Sequence, residues 1–157
     1  MTTYTSPTLG VIGLGSMGMG AALCAVRQGV PTWGFDPRPE AVAAFCDAGG
    51  NGAGSVAELA AHCNVVLVLV VNAAQTAEVL FGADGLAQKL KAGSVVIASA
   101  TVDPALPPLW AQRLEALGLW LIDGPVSGGA QKAADGQMTV MASGKPEAFA
   151  AAGALLN

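Results

Sequence analysis

Residues 9–18 read LGVIGLGSMG, a short apolar run that leads directly into a glycine-rich segment. The apolar run predicts a β-strand, and the G-x-G-x-x-G spacing after it predicts a tight turn into a helix. Each glycine has a reason: a tight turn, close approach of a pyrophosphate to the backbone, and close packing of helix on sheet. The stretch predicts a dinucleotide-binding loop whose N–H groups face phosphates, with a purely structural glycine turn as the alternative. The predicted cofactor-binding residues are Gly13, Leu14, Gly15, Ser16, Met17 and Gly18.

An acidic residue follows the second predicted strand. Asp36 lies 18 residues after Gly18, where a carboxylate accepts hydrogen bonds from the adenosine ribose hydroxyls and favours NAD over NADP. Arg38 is the complication, because an arginine there can pair with a 2′-phosphate; the alternative is a solvated residue at the start of a helix. We therefore expect both residues at the cofactor site and NAD as the cofactor, with NADP less favoured.

Strand and helix patterns alternate along the chain. The uninterrupted apolar run at 65–71 is typical of a central parallel strand covered on both faces, and a very short strand is allowed for before Ser55. The alternation predicts one domain, residues 1–157, with a Rossmann-type doubly wound parallel sheet and helices on both faces. The strands are predicted at 9–12, 32–35, 65–70, 95–98, 120–122 and 138–142, and the helices at 16–28, 39–48, 56–62, 76–80, 109–117 and from 146 onward.

Composition narrows the class of protein. A net charge of −4 with only seven Lys and Arg residues argues against nucleic-acid binding, which needs clustered positive charge. The run at 65–71 is too short to span a bilayer, and the polar N-terminus lacks a signal-peptide layout. We expect a cytoplasmic protein without a metal site or membrane partner. The three cysteines have no C-x-x-C spacing and are expected to be buried free thiols: Cys24, Cys46 and Cys63.

A second motif, DGPVSGG, occupies residues 123–129. After a strand, the hydroxyl of Ser127 and the close-approaching backbone of Gly128 and Gly129 can hold a carboxylate. The carboxyl end of a strand is also where open α/β sheets bind ligands. These three residues are the predicted substrate site, and a simple glycine-rich turn is the alternative.

With these two motifs in this order, the whole chain resembles the β-hydroxyacid dehydrogenases, which include 3-hydroxyisobutyrate dehydrogenase, tartronate semialdehyde reductase and threonate dehydrogenase. The segments 71–76 and 139–144 look most like the threonate branch, and Val71 stands where most of the family has proline. The resemblance implies that Val71, Asn72 and Thr101 belong to the cofactor site. For Thr101 a helix cap is the alternative.

The resemblance further implies NAD-dependent oxidation of a small hydroxyacid, such as the sugar acid threonate, by hydride transfer. Oxidation of 3-hydroxyisobutyrate or reduction of tartronate semialdehyde is the alternative within this class. The glycine loop is shared with imine reductases, but the Ser-Gly-Gly motif argues against them. A dinucleotide-binding module without catalysis is the alternative of another class.

The family's general base is a lysine in a Gly-x-Gly-x-x-x-Lys context, and no such run occurs here. We therefore expect the catalytic lysine beyond Asn157, in an all-helical C-terminal domain that is absent from this chain and builds a homo-oligomer. Lys132 and His62 are expected to be surface or structural residues. An exposed apolar patch is expected on the helix from residue 146, formed by Phe149, Leu155 and Leu156.

Overall fold

A computed structural model describes residues 7–156, and a six-stranded parallel sheet forms their centre. The strand order is β3-β2-β1-β4-β5-β6, the doubly wound order in which the direction of chain progression reverses between β1 and β4. The predicted Rossmann-type sheet is confirmed. The strands are β1 (Leu9–Ile12), β2 (Thr32–Phe35), β3 (Asn51–Gly52), β4 (Val65–Val68), β5 (Val95–Ala98) and β6 (Trp120–Asp123).

Helices cover both faces of this sheet, as predicted. Leu59, Leu80 and Leu114 pack into the apolar cluster on one face, and Ala22, Phe45 and Ala148 pack into the cluster on the other. The helices are α1 (Ser16–Arg27), α2 (Pro39–Asp47), α3 (Val56–His62), α4 (Ala73–Phe81), α5 (Leu86–Lys89), α6 (Leu106–Glu115), α7 (Gly129–Ala134) and α8 (Pro146–Ala152), the last followed by a 3₁₀ turn at Gly153–Leu156.

The apolar sequence of β4 fits its central position. All four of its residues are buried. Val66 and Val68 belong to the cluster with α3 and α6, whereas Val65 and Leu67 belong to the cluster with α1 and α2. Successive side chains of a strand point to opposite faces, so a strand covered on both faces needs apolar residues throughout.

Local signals place several helix ends. Gly29, just past α1, has φ +81°, the left-handed conformation of a helix C-terminus. The hydroxyl of Ser55 accepts a hydrogen bond from the Glu58 N–H (3.0 Å). The Glu58 carboxylate accepts from the N–H of Gly54 (2.6 Å), one residue earlier than a standard capping box provides.

Other boundaries differ from those predicted. The 138–142 segment does not join the parallel sheet: β8 (Thr139–Val140) pairs antiparallel with β7 (Val126–Ser127) in a separate two-stranded sheet. Helix α4 begins at Ala73 rather than at residue 76 because Asn72 caps it. Helix α6 begins at Leu106 rather than at residue 109 because the first turn of a helix tolerates proline. Neither α5 nor α7 was predicted.

Two predictions about burial were wrong for some of their residues. Of the cysteines, Cys63 is buried, Cys24 is half-buried and Cys46 is exposed, because α2 turns Ala41 and Phe45 to the core instead. Phe149 and Leu155 pack against the cluster beneath α8 rather than forming an exposed patch, and the side chain of Leu156, also predicted in that patch, is not among those described. Within the described residues the exposed large apolar side chains lie elsewhere, at Val71, Leu109, Leu117 and Met141.

Candidate cofactor and substrate site

The glycine loop is fixed to the sheet by the backbone. The N–H of Gly13 donates to the carbonyl of Phe35 (2.9 Å), and Gly13 has φ +100°. A Cβ at Gly13 would lie 2.2 Å from the carbonyl oxygen of Leu69, and a Cβ at Gly18 would lie 1.8 Å from the carbonyl oxygen of Gly13. Both distances are far below contact, so the fold itself requires glycine at these two positions.

Gly15 is different, because no contact among residues 7–156 requires glycine there. Its backbone is extended (φ −69°, ψ −172°), it is exposed, and a Cβ there would meet no atom within 4 Å. Gly15 also stands at the N-cap of the 12-residue α1, which has no side-chain cap and no acidic residue in its first turn. The first N–H groups of a helix lack intrahelical partners and attract anions. The open space and the free N–H groups fit a pyrophosphate.

Asp36 lies beside this loop and is 92% buried, with 8% of its surface exposed. Its Oδ2 accepts from the N–H of Leu14 (2.9 Å), and its Oδ1 accepts from the backbone N–H (2.9 Å) and the Nε (3.0 Å) of Arg38. Burial alone would raise the pKa of Asp36, but the hydrogen bonds from Arg38 and Leu14 outweigh it and hold the pKa below the ordinary 3.8. Asp36 is therefore ionised at neutral pH and also anchors the loop.

Arg38 is paired as well as exposed. Its guanidinium forms an ion pair with Asp36 while 56% of its side chain stays exposed, and its Nη2 reaches the carbonyl of Leu14 (3.4 Å). The prediction that left Arg38 either solvated or free for a phosphate missed this third possibility. The sequence signal was the two-residue spacing from Asp36.

The residues expected near the second half of a dinucleotide follow β4 and β5. Val71 is 81% exposed, and the Asn72 side chain accepts from the Gln75 N–H (2.9 Å) as the cap of α4. Thr101 is exposed and precedes the α6 cap, Ala105, by four residues, so the helix-cap alternative for Thr101 is wrong.

Ser99, at the end of β5, is a residue that the sequence reasoning passed over. It is 4% exposed, and its hydroxyl finds no hydrogen-bond partner among the described residues. A buried hydroxyl without a partner carries a desolvation cost. The sequence carried only a weak signal, a serine at the end of a predicted strand.

The predicted substrate loop lies outside the six-stranded parallel sheet. Ser127 lies on β7, and Gly128 (φ +121°) and Gly129 (φ +73°) lead into α7; all three are exposed. At the base of this loop, burial raises the pKa of Asp123. The backbones of Asp123 and Ser143 exchange two hydrogen bonds (2.9 and 2.8 Å).

The topology brings these segments to one edge. The glycine loop, Asp36, Val71, Thr101 and Ser127 all come after the carboxyl ends of parallel strands, and those ends share an edge of the sheet. Of the two residues expected to be surface or structural, Lys132 packs its side-chain carbons against Gly128 of the substrate motif, where a Cβ would lie 3.0 Å from its Cδ, whereas His62 lies on α3. Lys132 is exposed on α7, and His62 is exposed and stacks on Trp33 with ring centroids 4.0 Å apart.

Two other kinds of site are not seen in residues 7–156. Their side chains form no cluster of three or more His, Cys, Asp or Glu residues suited to a metal ion. Their helices are also too short or too polar for any of them to cross a bilayer.

Comparison with known proteins agrees with this geometry. Residues 8–157 match the family described as the NAD binding domain of 6-phosphogluconate dehydrogenase. The chain belongs to this family. An uncapped helix behind a glycine loop, at the reversal point of the sheet, is the arrangement by which such domains bind a dinucleotide.

Individual relatives carry dehydrogenase names. L-threonate dehydrogenase of Cupriavidus necator is 51% identical over 94% of this chain and 50% of its own length. Human mitochondrial 3-hydroxyisobutyrate dehydrogenase is 36% identical over 95% and 44%. A crystal structure titled 3-hydroxyisobutyrate dehydrogenase from Salmonella typhimurium is 47% identical, with a TM-score of 0.90 over 95% of this chain and 52% of that one.

These matches confirm the resemblance to the β-hydroxyacid dehydrogenases and its threonate branch. They also show that the chain spans about half the length of the relatives it matches.

Proposed function

We propose that this chain is the cofactor-binding part of an NAD-dependent dehydrogenase that oxidises a small hydroxyacid, most specifically a sugar acid such as threonate. The observation that carries the proposal is the open space at Gly15 beside the uncapped start of α1. Threonate is supported by the relatives at about half identity that bear this name. 3-Hydroxyisobutyrate is the second candidate, favoured by the name of the Salmonella structure.

Each segment then has a task. NAD, when bound, supplies the acceptor for the hydride. The glycine loop from Gly13 to Gly18 binds the pyrophosphate, and Asp36 accepts hydrogen bonds from the ribose. Val71, Asn72 and Thr101 border the nicotinamide half.

The substrate side uses the second motif. Ser127, Gly128 and Gly129 hold the substrate carboxylate through a hydroxyl and backbone N–H groups. Removal of the hydroxyl proton needs a general base. Following the family resemblance, we propose a lysine outside these 157 residues for this role.

Cofactor preference follows from the ion pair at the loop. The Asp36 carboxylate faces the place of the ribose hydroxyls and repels a 2′-phosphate, and Arg38 is already engaged by Asp36 (3.0 Å). We therefore propose NAD rather than NADP. Calorimetric titration of the chain with both cofactors checks this, and tighter binding of NADP would show that Arg38 leaves Asp36 to bind the phosphate.

The sharpest test of the proposal is Gly15→Ala. Because the added methyl meets no protein atom within 4 Å, the thermal midpoint should stay unchanged. NAD affinity should fall about tenfold or more, since the methyl occupies the space of the pyrophosphate. Calorimetry with NAD and thermal denaturation measure the two effects.

Gly29→Ala is the reciprocal control. A Cβ at Gly29 also meets nothing within 4 Å, but φ is +81° there, so this variant should lose stability and keep its NAD affinity. Wild-type chain that binds no NAD, or Gly15→Ala that binds it as well as wild type, would refute the proposed function.

A further inference from the structure

The two ligand loops each begin a helix, and those two helices pack on each other. Helix α1 (Ser16–Arg27) starts at the glycine loop, and α7 (Gly129–Ala134) starts at the end of the predicted substrate loop. The substrate loop thus runs directly into α7, with Gly128 as its N-cap and Gly129 as its first residue, and the helix that packs on α7 carries the cofactor loop.

The contact is made at Gly20, where the helices approach backbone to backbone. A Cβ at Gly20 would lie 2.9 Å from the backbone nitrogen of Ala134 and 3.2 Å from the carbonyl oxygen of Ala130. Backbone atoms of a helix cannot turn aside as the end of a flexible side chain can. There is no room for a methyl group unless α7 moves away from α1.

The contact continues along α1. One turn on, the sulfur of Cys24 is the atom nearest to Gly136, where a Cβ would lie 2.9 Å from it. At the end of α1, the Arg27 guanidinium donates to the carbonyl of Ala134, the last residue of α7. Three successive turns of α1 therefore contact α7 and the turn that follows it.

Little else fixes α7. Its only fully buried residue is Ala133, at 1% exposure, and the preceding three residues, Ala130, Gln131 and Lys132, are exposed. The two strands that flank α7, β7 and β8, have only two residues each. The position of α7 relative to the sheet is therefore set chiefly by α1.

We propose that Gly20 is a positioning residue that sets the distance between the substrate loop and the cofactor loop, and that NAD binding at the start of α1 orders residues 126–134 through this contact. The inference rests on the proposed function for the identity of the two ligands. The contact itself does not depend on that function. Gly20 touches neither ligand and acts only through α7.

Hydrogen exchange of the 157-residue chain tests this. In Gly20→Ala, backbone amides of residues 126–136 should exchange about tenfold faster, as expected when an overpacked contact opens. Because the coupling between the two events is reciprocal, affinity for NAD should fall by about the factor by which NAD slows exchange at 126–134 in wild type. In wild type, saturating NAD should slow exchange at 126–134, and in Gly20→Ala this slowing should disappear.

Two further variants separate loss of the α1–α7 contact from a general loss of stability. Gly29→Ala destabilises the chain without touching α7 and should leave the response of 126–134 to NAD intact. Arg27→Ala removes the bond to the Ala134 carbonyl from an exposed position and should weaken the response even if Gly20→Ala does not fold.

The outcomes separate the two proposals. Wild-type chain that binds no NAD refutes the proposed function, and the ligand-free comparison of Gly20→Ala with wild type still decides whether the contact holds the loop. NAD binding without any change at 126–134, or equal exchange in wild type, Gly20→Ala and Arg27→Ala, overturns the inference.

Discussion

The cofactor loop and the substrate loop lie at the same edge of the sheet but are held by different means. Three residues of the cofactor loop are buried: Gly13, Leu14 and Gly18. The carbonyl of Phe35 on β2 accepts from the Gly13 N–H, and the Asp36 carboxylate accepts from the Leu14 N–H. Ser127 and Gly129 are exposed, at the end of the two-residue strand β7 and the start of α7, and α7 packs on α1. A loop with its binding geometry already built suits the part of a cofactor that does not react. A loop supported from one side can adjust when its ligand arrives.

The carboxylates at the bases of the two loops differ in the same way. Asp36 is held ionised by donors from Leu14 and Arg38, and its pKa is lowered. Asp123 has its pKa raised by burial. In the first loop the protein compensates for burying a charge. At the base of the second loop the charge is left without that compensation.

The largest difference should appear when a methyl group is added to each loop. Gly18→Ala places a Cβ 1.8 Å from the carbonyl oxygen of Gly13 and should lower the free energy of unfolding by about 3 kcal/mol or more. Gly129→Ala meets no atom within 4 Å but has φ +73°, which costs only about 1–2 kcal/mol. Urea denaturation of both variants measures the two losses. Equal losses would mean that the substrate loop is as firmly held as the cofactor loop.

Replacing the two carboxylates should change the free energy of unfolding by less, and in opposite directions. A carboxyl whose folded pKa is lowered stabilises the fold only while ionised, so its contribution is complete above the ordinary 3.8 and is lost as the pH falls through the lower folded value. Asp36→Asn should therefore cost about 1.5–3 kcal/mol at neutral pH, and this cost should shrink in acid below 3.8. Arg38→Ala should cost less, because an ion pair with a 56% exposed partner is weak.

For Asp123 the sign reverses. A raised folded pKa means that ionisation disfavours the fold, so the penalty grows as the pH rises above 3.8. Asp123→Asn should leave the free energy of unfolding unchanged or higher at neutral pH, and equal to wild type in acid. Denaturation curves over a pH series measure both variants. If Asp123→Asn destabilised the chain at neutral pH, the carboxylate would have a favourable partner and the comparison would fail.

The sequence predicted the first loop better than the second for a physical reason. Gly13 and Gly18 meet structural needs, a tight turn and a close helix approach, and Gly15 leaves open space for a ligand. All three needs fall within six residues, so they leave a recognisable spacing in the sequence. Asp36 was found because it ends a strand with a clear apolar pattern. Its hydrogen bond to Leu14 joins residues 22 apart in the chain, and no spacing rule predicts such a bond.

The second loop depends on contacts between distant segments. The 138–142 run has the composition of a strand, but whether a strand joins the parallel sheet or pairs with Val126–Ser127 is decided by tertiary context. Helix α7 is six residues long and held chiefly by α1, so it carries almost no pattern of its own. The role of Gly20 has no signal in the local sequence pattern, because its partners lie more than 100 positions away.

The smallest expected effect concerns Ser99, which lies between the two loops in the sheet. Its hydroxyl is buried and lacks a partner in residues 7–156, and such a group lowers stability by its lost hydration. Ser99→Ala removes the hydroxyl and little volume, so the thermal midpoint of the ligand-free chain should rise, by the equivalent of up to about 1 kcal/mol. Ser99→Val is the matched control. It also removes the hydroxyl but adds apolar volume at the end of β5, so comparing the two variants separates the loss of the hydroxyl from a change in packing. If Ser99→Ala lowered the midpoint instead, the hydroxyl would have a hydrogen-bond partner such as an ordered water molecule. The buried polar groups at this edge of the sheet would then be as well paired as those of the glycine loop.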